Sequence, residues 1–244
     1  MIKYAILGYG VVGSGVAEVM TEQQEKIAAV VGEPVQLQYI LVRHAYPGDP
    51  FADKMITDFS IVENDPEVSI VAEVIGGAAD AYDYSRRALL AGKSVVSSNK
   101  ELVAVHGAEL AEIAREKGVN YLFEGSVGGG IPILRPLTQC LAANRIDEVF
   151  GILNGTTNYI LTAMDTENQS FADALKTAQA LGYAEADPTA DVEGIDACRK
   201  TTILADLAFG WNMDPASIPT KGITQVTSAD LELAHALGYA VKLL

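Results

Sequence analysis

Residues 2–13 read IKYAILGYGVVG, and this stretch decides the fold of the first half of the chain. Residues 4–7 form a short apolar run without alternation, as in a strand that is buried on both faces of a parallel sheet. The run ends at Gly8, and Gly10 and Gly13 follow at the spacing G-x-G-x-x-G before an apolar pattern typical of a helix. The first glycine permits a tight turn, the second lets a pyrophosphate approach the backbone, and the third lets the helix pack close to the strand. The stretch therefore predicts a dinucleotide-binding turn.

We predict that the cofactor contacts all three glycines and the first two residues of the helix, Val11 and Val12. Glycines that serve only the packing of the chain are the alternative, because this motif also occurs without a ligand. The strand before the motif and the helix after it favour the binding interpretation.

A second predicted strand, residues 35–42, ends at Arg43, where this type of fold meets the adenosine ribose. An acidic residue at this place binds the ribose 2′-hydroxyl, whereas the forked donors of an arginine suit a 2′-phosphate. The sequence therefore favours NADP, or the use of both NADP and NAD. A solvent-facing charge is the alternative interpretation of Arg43.

Two further strand patterns end in residues that suit a ligand. Residues 70–75 run into Gly76, and residues 94–96 lead through a short polar stretch to Lys100. Open α/β sheets bind ligands at the carboxyl ends of their strands, so both residues are predicted cofactor contacts, and Lys100 is predicted to lie near the chemistry. A surface lysine is the alternative, although a cation at a helix start is unfavourable on dipole grounds.

Strands and helices alternate over residues 1–125, which predicts a doubly wound α/β (Rossmann) domain. A glycine-rich loop follows, and residues 126–244 are predicted to form a second, α+β domain that contains a half-buried strand over residues 146–153. This strand leads into Asn154, Gly155 and Thr156, whose amide and hydroxyl groups can orient a polar small molecule. A strand-to-helix turn that Thr156 caps is the alternative.

Carboxylates are densest in residues 181–200, LGYAEADPTADVEGIDACRK, where five of them precede an arginine and a lysine. Buried carboxylates need partners, so a cluster of this density predicts a site rather than a packed core. From Gly194 onward apolar residues recur at helical spacing, and Asp196 and Lys200 stand four residues apart on one face of that helix. We predict that they share one pocket. The alternative is an exposed ion pair, which contributes about 0.2–0.5 kcal/mol.

The composition excludes several classes of function. A formal charge of −15 argues against nucleic-acid partners, which require a clustered basic surface, and against anionic membranes. No apolar run approaches the length of roughly 20 residues that a membrane span needs, and the chain opens on a strand pattern rather than a secretion signal. We therefore predict a cytoplasmic protein. Cys140 and Cys198 stand in apolar helical patterns, which favours reduced, buried thiols over a disulfide.

Six blocks of the sequence resemble the homoserine dehydrogenase family: GYGVVGSGV, EVIGG, SSNKEL, FEGSVGGGIPI, GILNGTTNYIL and LGYAEADPTADVEGIDACRKTTILADLAFG. They extend over nearly the whole chain, and the last block is highly specific. The resemblance implies that aspartate β-semialdehyde is reduced to homoserine with NAD(P)H, in the biosynthesis of threonine and methionine. It also implies a homodimer that forms through the second domain.

The resemblance assigns roles to single residues. Lys200 would donate a proton to the aldehyde oxygen, and Asp196 and Lys100 would belong to the same catalytic group. Glu185 and Asp196 would hold the substrate, with Asp191 in support. Gly182 would contact the cofactor. A sodium ion would be held by four further residues, namely Glu124 and the carbonyl groups of Val127, Gly129 and Ile131.

The sequence departs from the family at Leu244, where it stops in a strand-like run, GYAVKLL. Family members continue with segments that return to the cofactor domain. Two alternatives to an active homoserine dehydrogenase are kept. One is a truncated, non-catalytic dinucleotide-binding homologue. The other is a semialdehyde dehydrogenase that forms a thioester. It would need an activated cysteine, whereas Cys140 and Cys198 stand in apolar helical patterns.

Overall fold

The computed structural model describes residues 1–244, and they divide into two compact units, Met1–Arg135 and Pro136–Leu244. The domain boundary that the sequence predicts, after residue 125, lies within the first of these units.

The first unit contains one parallel sheet of six strands in the order β3-β2-β1-β4-β5-β6. The strands are β1 (Ile2–Leu7), β2 (Val35–Leu41), β3 (Met55–Ile56), β4 (Val68–Glu73), β5 (Ser94–Ser97) and β6 (Tyr121–Leu122). This order is that of the doubly wound dinucleotide-binding fold, whose strand order reverses between β1 and β4. The predicted Rossmann domain is therefore confirmed.

Five helices connect these strands, namely α1 (Val11–Glu22), α2 (Gln24–Val31), α3 (Phe59–Asn64), α4 (Ala79–Leu90) and α5 (Lys100–Lys117). β1 is enclosed over residues 4–7, and the side chains of Ile6, Leu7, Ile40 and Val71 at the centre of the sheet have no exposed surface. Strands that are covered on both faces have continuous apolar sequences, and for this reason the pattern in the sequence located them.

The central strands β1, β2 and β4 end side by side at the same edge of the sheet. Leu7, the last residue of β1, is paired with Leu41 of β2 and with Glu73 of β4. The amide of Gly8 then donates to the carbonyl oxygen of Leu41 at 3.0 Å, and the amide of Val74 donates to that of Leu7 at 3.0 Å. The loops that follow the three strands consequently meet at the carboxyl edge of the sheet.

The second unit is built from helices. After a π-helical turn (Pro136–Cys140) come α6 (Gly155–Thr166), α7 (Phe171–Ala180), α8 (Thr189–Val192), α9 (Ile195–Phe209) and α10 (Ser228–Ala236). Ile160, Leu161, Ala174, Ile223 and Leu231 are buried together in its core. No helix of the chain is long and apolar enough to cross a membrane.

The strand predicted over residues 146–153 is not formed, because a strand needs a neighbouring backbone and the second unit contains no other strand. Val149, Phe150 and Ile152 are exposed as a result. The strand-like run at the end of the chain is not in a sheet either. Its backbone is bound by a side chain instead: Asn158 donates to the carbonyl oxygen of Leu243 at 3.0 Å and accepts from its amide at 3.1 Å.

Both cysteines are free thiols, but the prediction that they are buried was wrong for Cys140. This residue ends the π-helical turn, which contributes no buried side chain to the core. Cys198 lies on α9 and is half-buried.

Candidate functional site

The turn after β1 has the backbone geometry that the three glycines predict. Gly8 has a φ angle of 98°, and a Cβ atom on it would lie 3.0 Å from the carbonyl oxygen of Val74. A Cβ atom on Gly13 would lie 2.1 Å from the carbonyl oxygen of Gly8. In contrast, a Cβ atom on Gly10 would meet nothing within 4 Å. Gly8 and Gly13 are therefore required by the chain itself, whereas Gly10 leaves open space beside the backbone.

The amino-terminal end of α1 fits an anionic group. Gly10 is the N-cap residue, and no side chain caps the helix. The first amides of a helix have no partner within it, and together with the helix dipole they attract phosphate. The side chains of Val11 and Val12 are exposed and do not line the adjoining cavity, so a contact from these two residues would come from their amides. The turn thus fits the pyrophosphate of a dinucleotide.

A cavity of about 530 Å³ lies at the carboxyl ends of β1, β2 and β4. Gly8, Gly10, Arg43 and Gly76 line it, so the structure brings these predicted cofactor residues together. In open α/β sheets this crevice, where the strand order reverses, is the usual place for a ligand.

Several residues of the cavity wall were not predicted from the sequence, namely Tyr9, Tyr46, Thr57, Val74, Ile75, Asp80 and Tyr84. Most of them directly follow a strand or lie on α4, so their position in the fold is the signal that would have found them. Asp80 is the most informative, because its Oδ2 lies 3.3 Å from a guanidinium nitrogen of Arg43. A 2′-phosphate bound by Arg43 would have to compete with this carboxylate.

Lys100 is the first residue of α5, directly beyond the end of β5, and is half-buried. Asn99 is the N-cap of this helix, and its side chain accepts from the amide of Leu102 at 3.0 Å. The strand and the cap therefore place Lys100 at the carboxyl edge of the sheet, where the sequence predicts it.

In the second unit, Asp196 and Lys200 form a buried ion pair on α9. Their Oδ2 and Nζ atoms are 2.8 Å apart, and their side chains are only 3% and 14% exposed. Lys200 also donates to the carbonyl oxygen of Leu153 at 2.8 Å. The alternative of an exposed ion pair is therefore wrong. An ammonium group has three N–H donors, so two such contacts leave one that can point to a ligand.

Asn154 connects this pair to a second carboxylate. Its Nδ2 donates to Asp191 at 2.7 Å and to Asp196 at 2.9 Å. Its Oδ1 accepts from the amide of Thr157 at 2.9 Å and caps α6. Because both ends of this buried side chain are occupied within the chain, the geometry favours a positioning role for Asn154 over the predicted contact with the substrate.

The remaining predicted substrate and cofactor residues of this unit lie in the first turn of α6 and between α7 and α8. Gly155 begins α6, and the hydroxyl of Thr156 donates to the carbonyl oxygen of Tyr183 at 2.6 Å. Glu185 is exposed between α7 and α8. Gly182 has a φ angle of 77° at the end of α7, which by itself accounts for a glycine there. Contacts of these four residues with ligands stay predictions.

The carboxylate of Glu124, a predicted sodium ligand, is bound by backbone amides. It accepts from the amides of Ile133 at 2.6 Å, Leu134 at 2.9 Å and Arg135 at 2.8 Å. Burial alone would raise the pKa of Glu124, but these hydrogen bonds lower it below its ordinary value. Across residues 1–244, no group of three or more His, Cys, Asp or Glu side chains could hold a metal ion. A sodium site here would therefore depend on the predicted backbone carbonyls.

Comparisons with known proteins cover both units. A family model described as "Homoserine dehydrogenase, NAD binding domain" matches residues 8–124, and one described as "Homoserine dehydrogenase" matches residues 132–244. The homoserine dehydrogenase of Bacillus subtilis is 45% identical and is aligned with 100% of this chain and 57% of its own length. The chain thus spans little more than half the length of the curated relatives it matches.

Solved structures give the same result. A homoserine dehydrogenase from Thiobacillus denitrificans has a TM-score of 0.92 and 43% identity, over 99% of this chain and 57% of that one. A provisionally named homoserine dehydrogenase from Archaeoglobus fulgidus has a TM-score of 0.90 and 34% identity, over 100% of this chain and 79% of that one. A hyperthermophilic archaeal homoserine dehydrogenase in complex with NADPH has a TM-score of 0.78 and 27% identity, over 93% and 75%. The fold, the glycine turn and these matches together show that the chain belongs to the homoserine dehydrogenase family.

Proposed function

We propose that this chain carries the cofactor-binding and catalytic parts of an NAD(P)H-dependent enzyme that reduces aspartate β-semialdehyde to L-homoserine, a step toward threonine and methionine. The observation that carries the proposal is the buried ion pair of Lys200 and Asp196, with the ammonium fixed further by the carbonyl oxygen of Leu153. This ion pair is buried, and the carbonyl oxygen of Leu153 and the side chain of Asn154 fix its position, which favours a functional site over an incidental surface pair.

The reaction requires a proton and positive charge at one oxygen atom. When bound, NAD(P)H supplies a hydride to the aldehyde carbon, and the carbonyl oxygen then gains negative charge. The third N–H of Lys200 would stabilise this charge and deliver the proton, because the other two hold the ammonium in a fixed orientation. The amino group of the substrate is a cation, for which the carboxylates of Glu185 and Asp196 are suitable partners, with Asp191 in support.

In the first unit, the amides at the start of α1 would hold the pyrophosphate and the open space at Gly10 would admit it. Arg43 would bind the 2′-phosphate of NADP, while NAD lacks this group and would depend on the rest of the cavity. Lys100 at the carboxyl edge of the sheet and Gly182 are further proposed contacts. The relative that contains NADPH supports this cofactor class.

Three further properties are proposed from the resemblance to the family. They are a sodium ion held by Glu124 with the carbonyls of Val127, Gly129 and Ile131, a homodimer that forms through the second unit, and a cytoplasmic location.

The first experiment is to follow the oxidation of NADPH, and then of NADH, by the purified 244-residue chain with and without aspartate β-semialdehyde. We expect oxidation that depends on the aldehyde and that is lost in the Lys200→Ala variant. Binding of NADPH without any turnover would contradict the proposal and favour the non-catalytic dinucleotide-binding homologue.

A further inference from the structure

Glu73, the last residue of β4, is fully buried, and neither the glycine turn nor the site at Lys200 uses it. Buried carboxyl groups need hydrogen-bond partners, and Glu73 has one for each oxygen. Oε1 accepts from the amide of Ile75 at 2.8 Å, and Oε2 accepts from the hydroxyl of Ser97 at 2.5 Å. Ser97 is the residue paired with Glu73 across β4 and β5. One side chain therefore joins the ends of two strands.

The network continues from Ser97 to Asn99. The hydroxyl oxygen of Ser97 accepts from the amide of Asn99 at 3.0 Å. The Asn99 side chain donates to the carbonyl oxygens of Ile75 at 3.0 Å and Gly77 at 2.6 Å. The backbone of Ile75 is thus held on both sides, at its amide by Glu73 and at its carbonyl by Asn99.

This network supports the wall of the cavity. Val74, Ile75 and Gly76 line the cavity, and they lie in the loop that Glu73 and Asn99 fix. The carbonyl oxygen of Val74 is also the atom that limits the space at Gly8. On its other side the network reaches the N-cap of α5, next to Lys100. A shift of Glu73 would therefore move two parts of the carboxyl edge at once.

We propose that Glu73 is a positioning residue for cofactor binding, whose buried carboxyl group holds residues 74–77 and the start of α5 in the arrangement that the dinucleotide needs. The proposal rests on the proposed function of the cavity as the NAD(P) site. A preformed wall favours binding because the cost of ordering the loop is met before the ligand arrives. Burial raises the pKa of this carboxyl group, and the hydrogen bonds from Ser97 and Ile75 oppose that shift.

The test compares variants that break the network with one that does not. Glu73→Ala removes both hydrogen bonds of the carboxyl group, and Glu73→Gln keeps its size and an acceptor oxygen. Ser97→Ala removes the link between the strands and the acceptor for the amide of Asn99. Ser85→Ala is the matched control, because Ser85 is as buried as Ser97 in the same unit but its hydroxyl has no hydrogen-bond partner.

The dissociation constant of NADPH is measured by fluorescence titration of the 244-residue chain, together with kcat and KM. We expect Glu73→Ala to weaken NADPH binding by about tenfold, Ser97→Ala to weaken it severalfold, and Ser85→Ala to leave it unchanged. Glu73→Gln should restore most of the affinity. At saturating NADPH, kcat should change less than the affinity for NADPH in the Glu73 and Ser97 variants, since the network reaches Lys100 only through the start of α5, and it should stay unchanged in Ser85→Ala.

Two outcomes separate this inference from the proposed function. A wild-type chain that does not bind NADPH would overturn both. A wild-type chain that binds NADPH, with unchanged affinity in Glu73→Ala and Ser97→Ala or with an equal loss in Ser85→Ala, would overturn the role of Glu73 alone. If Glu73→Ala does not fold, as judged by circular dichroism, the comparison of Ser97→Ala with Ser85→Ala decides.

Discussion

The cofactor cavity and the site at Lys200 differ in whether backbone or side-chain groups form them. Backbone forms the cavity: Gly8 is in the left-handed region, Gly13 lies against a carbonyl group, and the strand ends supply the walls. Side chains form the other site, where Asn154, Asp191, Asp196 and Lys200 are linked by hydrogen bonds on and beside one helix. Different kinds of substitution should therefore impair the two sites.

A site made of backbone depends on the shape of the chain, so the harmful changes there add atoms. A site made of charged side chains depends on a few groups that keep one another in place, so the harmful changes there remove atoms. Substitutions of both kinds can therefore test this difference.

The largest effect is expected from Lys200→Ala. The variant removes the proposed proton donor and leaves Asp196 buried without its ammonium partner. We expect kcat to fall by roughly 10²–10⁴-fold, the usual contribution of a general acid, with the affinity for NADPH unchanged. Steady-state kinetics and a cofactor titration measure the two quantities. Lys176→Ala, which removes an exposed lysine of α7, is the control, and an unchanged kcat in Lys200→Ala would refute the assignment.

A smaller loss is expected from Asn154→Ser. Serine is a good N-cap residue, so this variant keeps the cap of α6 but loses the two N–H donors to Asp191 and Asp196. Misplacement of the ion pair should reduce kcat by about 10–10²-fold, because small errors in the position of a reacting group are costly.

The control for this variant is Ser170→Ala, which removes the N-cap of α7 without touching the site. The free energy of unfolding should fall in both variants, since Asn154→Ser takes a donor from the buried carboxylate of Asp196, whereas only Asn154→Ser should lose activity. An equal loss of activity in the two variants would show that Asn154 acts through the stability of the fold, and full activity in Asn154→Ser would refute its positioning role.

The contrast between the sites also explains how far the sequence could predict them. Glycines reveal a backbone-built site directly, because only they tolerate the φ angle of Gly8 or the closeness of Gly13 to a carbonyl group. Residues 8–13 and the strands beside them were therefore identified by pattern alone. The spacing of Asp196 and Lys200 likewise placed them on one face of a helix.

What the sequence could not supply was the contact partners from distant parts of the chain. Asn154 lies 42 residues from Asp196, and Asp80 lies 37 residues from Arg43. Glu73 ends the apolar strand β4, and the sequence gives no sign that Ser97 is opposite to it. The failure over residues 146–153 has the same origin, since alternation predicts a strand but not the neighbour it must pair with.

Gly13→Ala tests the backbone-built site with a single added atom. The new Cβ would lie 2.1 Å from the carbonyl oxygen of Gly8, a backbone atom that cannot rotate away. We expect the free energy of unfolding to fall by about 1–3 kcal/mol, as for other overpacked positions, and NADPH binding to weaken as α1 moves.

Gly15→Ala is the matched control, two residues further along the same helix. A Cβ there would meet nothing within 4 Å, and alanine is favoured over glycine within a helix by about 1 kcal/mol. The two substitutions should therefore change the stability in opposite directions, as measured by urea denaturation. A loss of stability in both would mean that α1 does not tolerate methyl groups for some reason other than contact with Gly8.

The smallest effect is expected at the one place where the cavity relies on charge. Arg43 and Asp80 lie 3.3 Å apart, but their side chains are 81% and 58% exposed, so solvent and salt weaken their interaction. In Asp80→Asn the carboxylate no longer repels a 2′-phosphate or competes with it for the guanidinium. We expect the affinity for NADP to rise about two- to fivefold at low salt, while the affinity for NAD, which has no 2′-phosphate, stays constant.

The measurement is the ratio of the two dissociation constants at low and high ionic strength, and the gain should shrink as salt is added. Asp83→Asn is the control, because Asp83 is on the same helix but pairs with Arg87 and does not line the cavity. An unchanged ratio in Asp80→Asn, together with an unchanged ratio in Arg43→Ala, would exclude Arg43 as the residue that selects the cofactor. Selectivity would then have to come from the backbone of the cavity. In that case the cofactor site would not depend on the Arg43–Asp80 ion pair, and its contrast with the charged site at Lys200 would be complete.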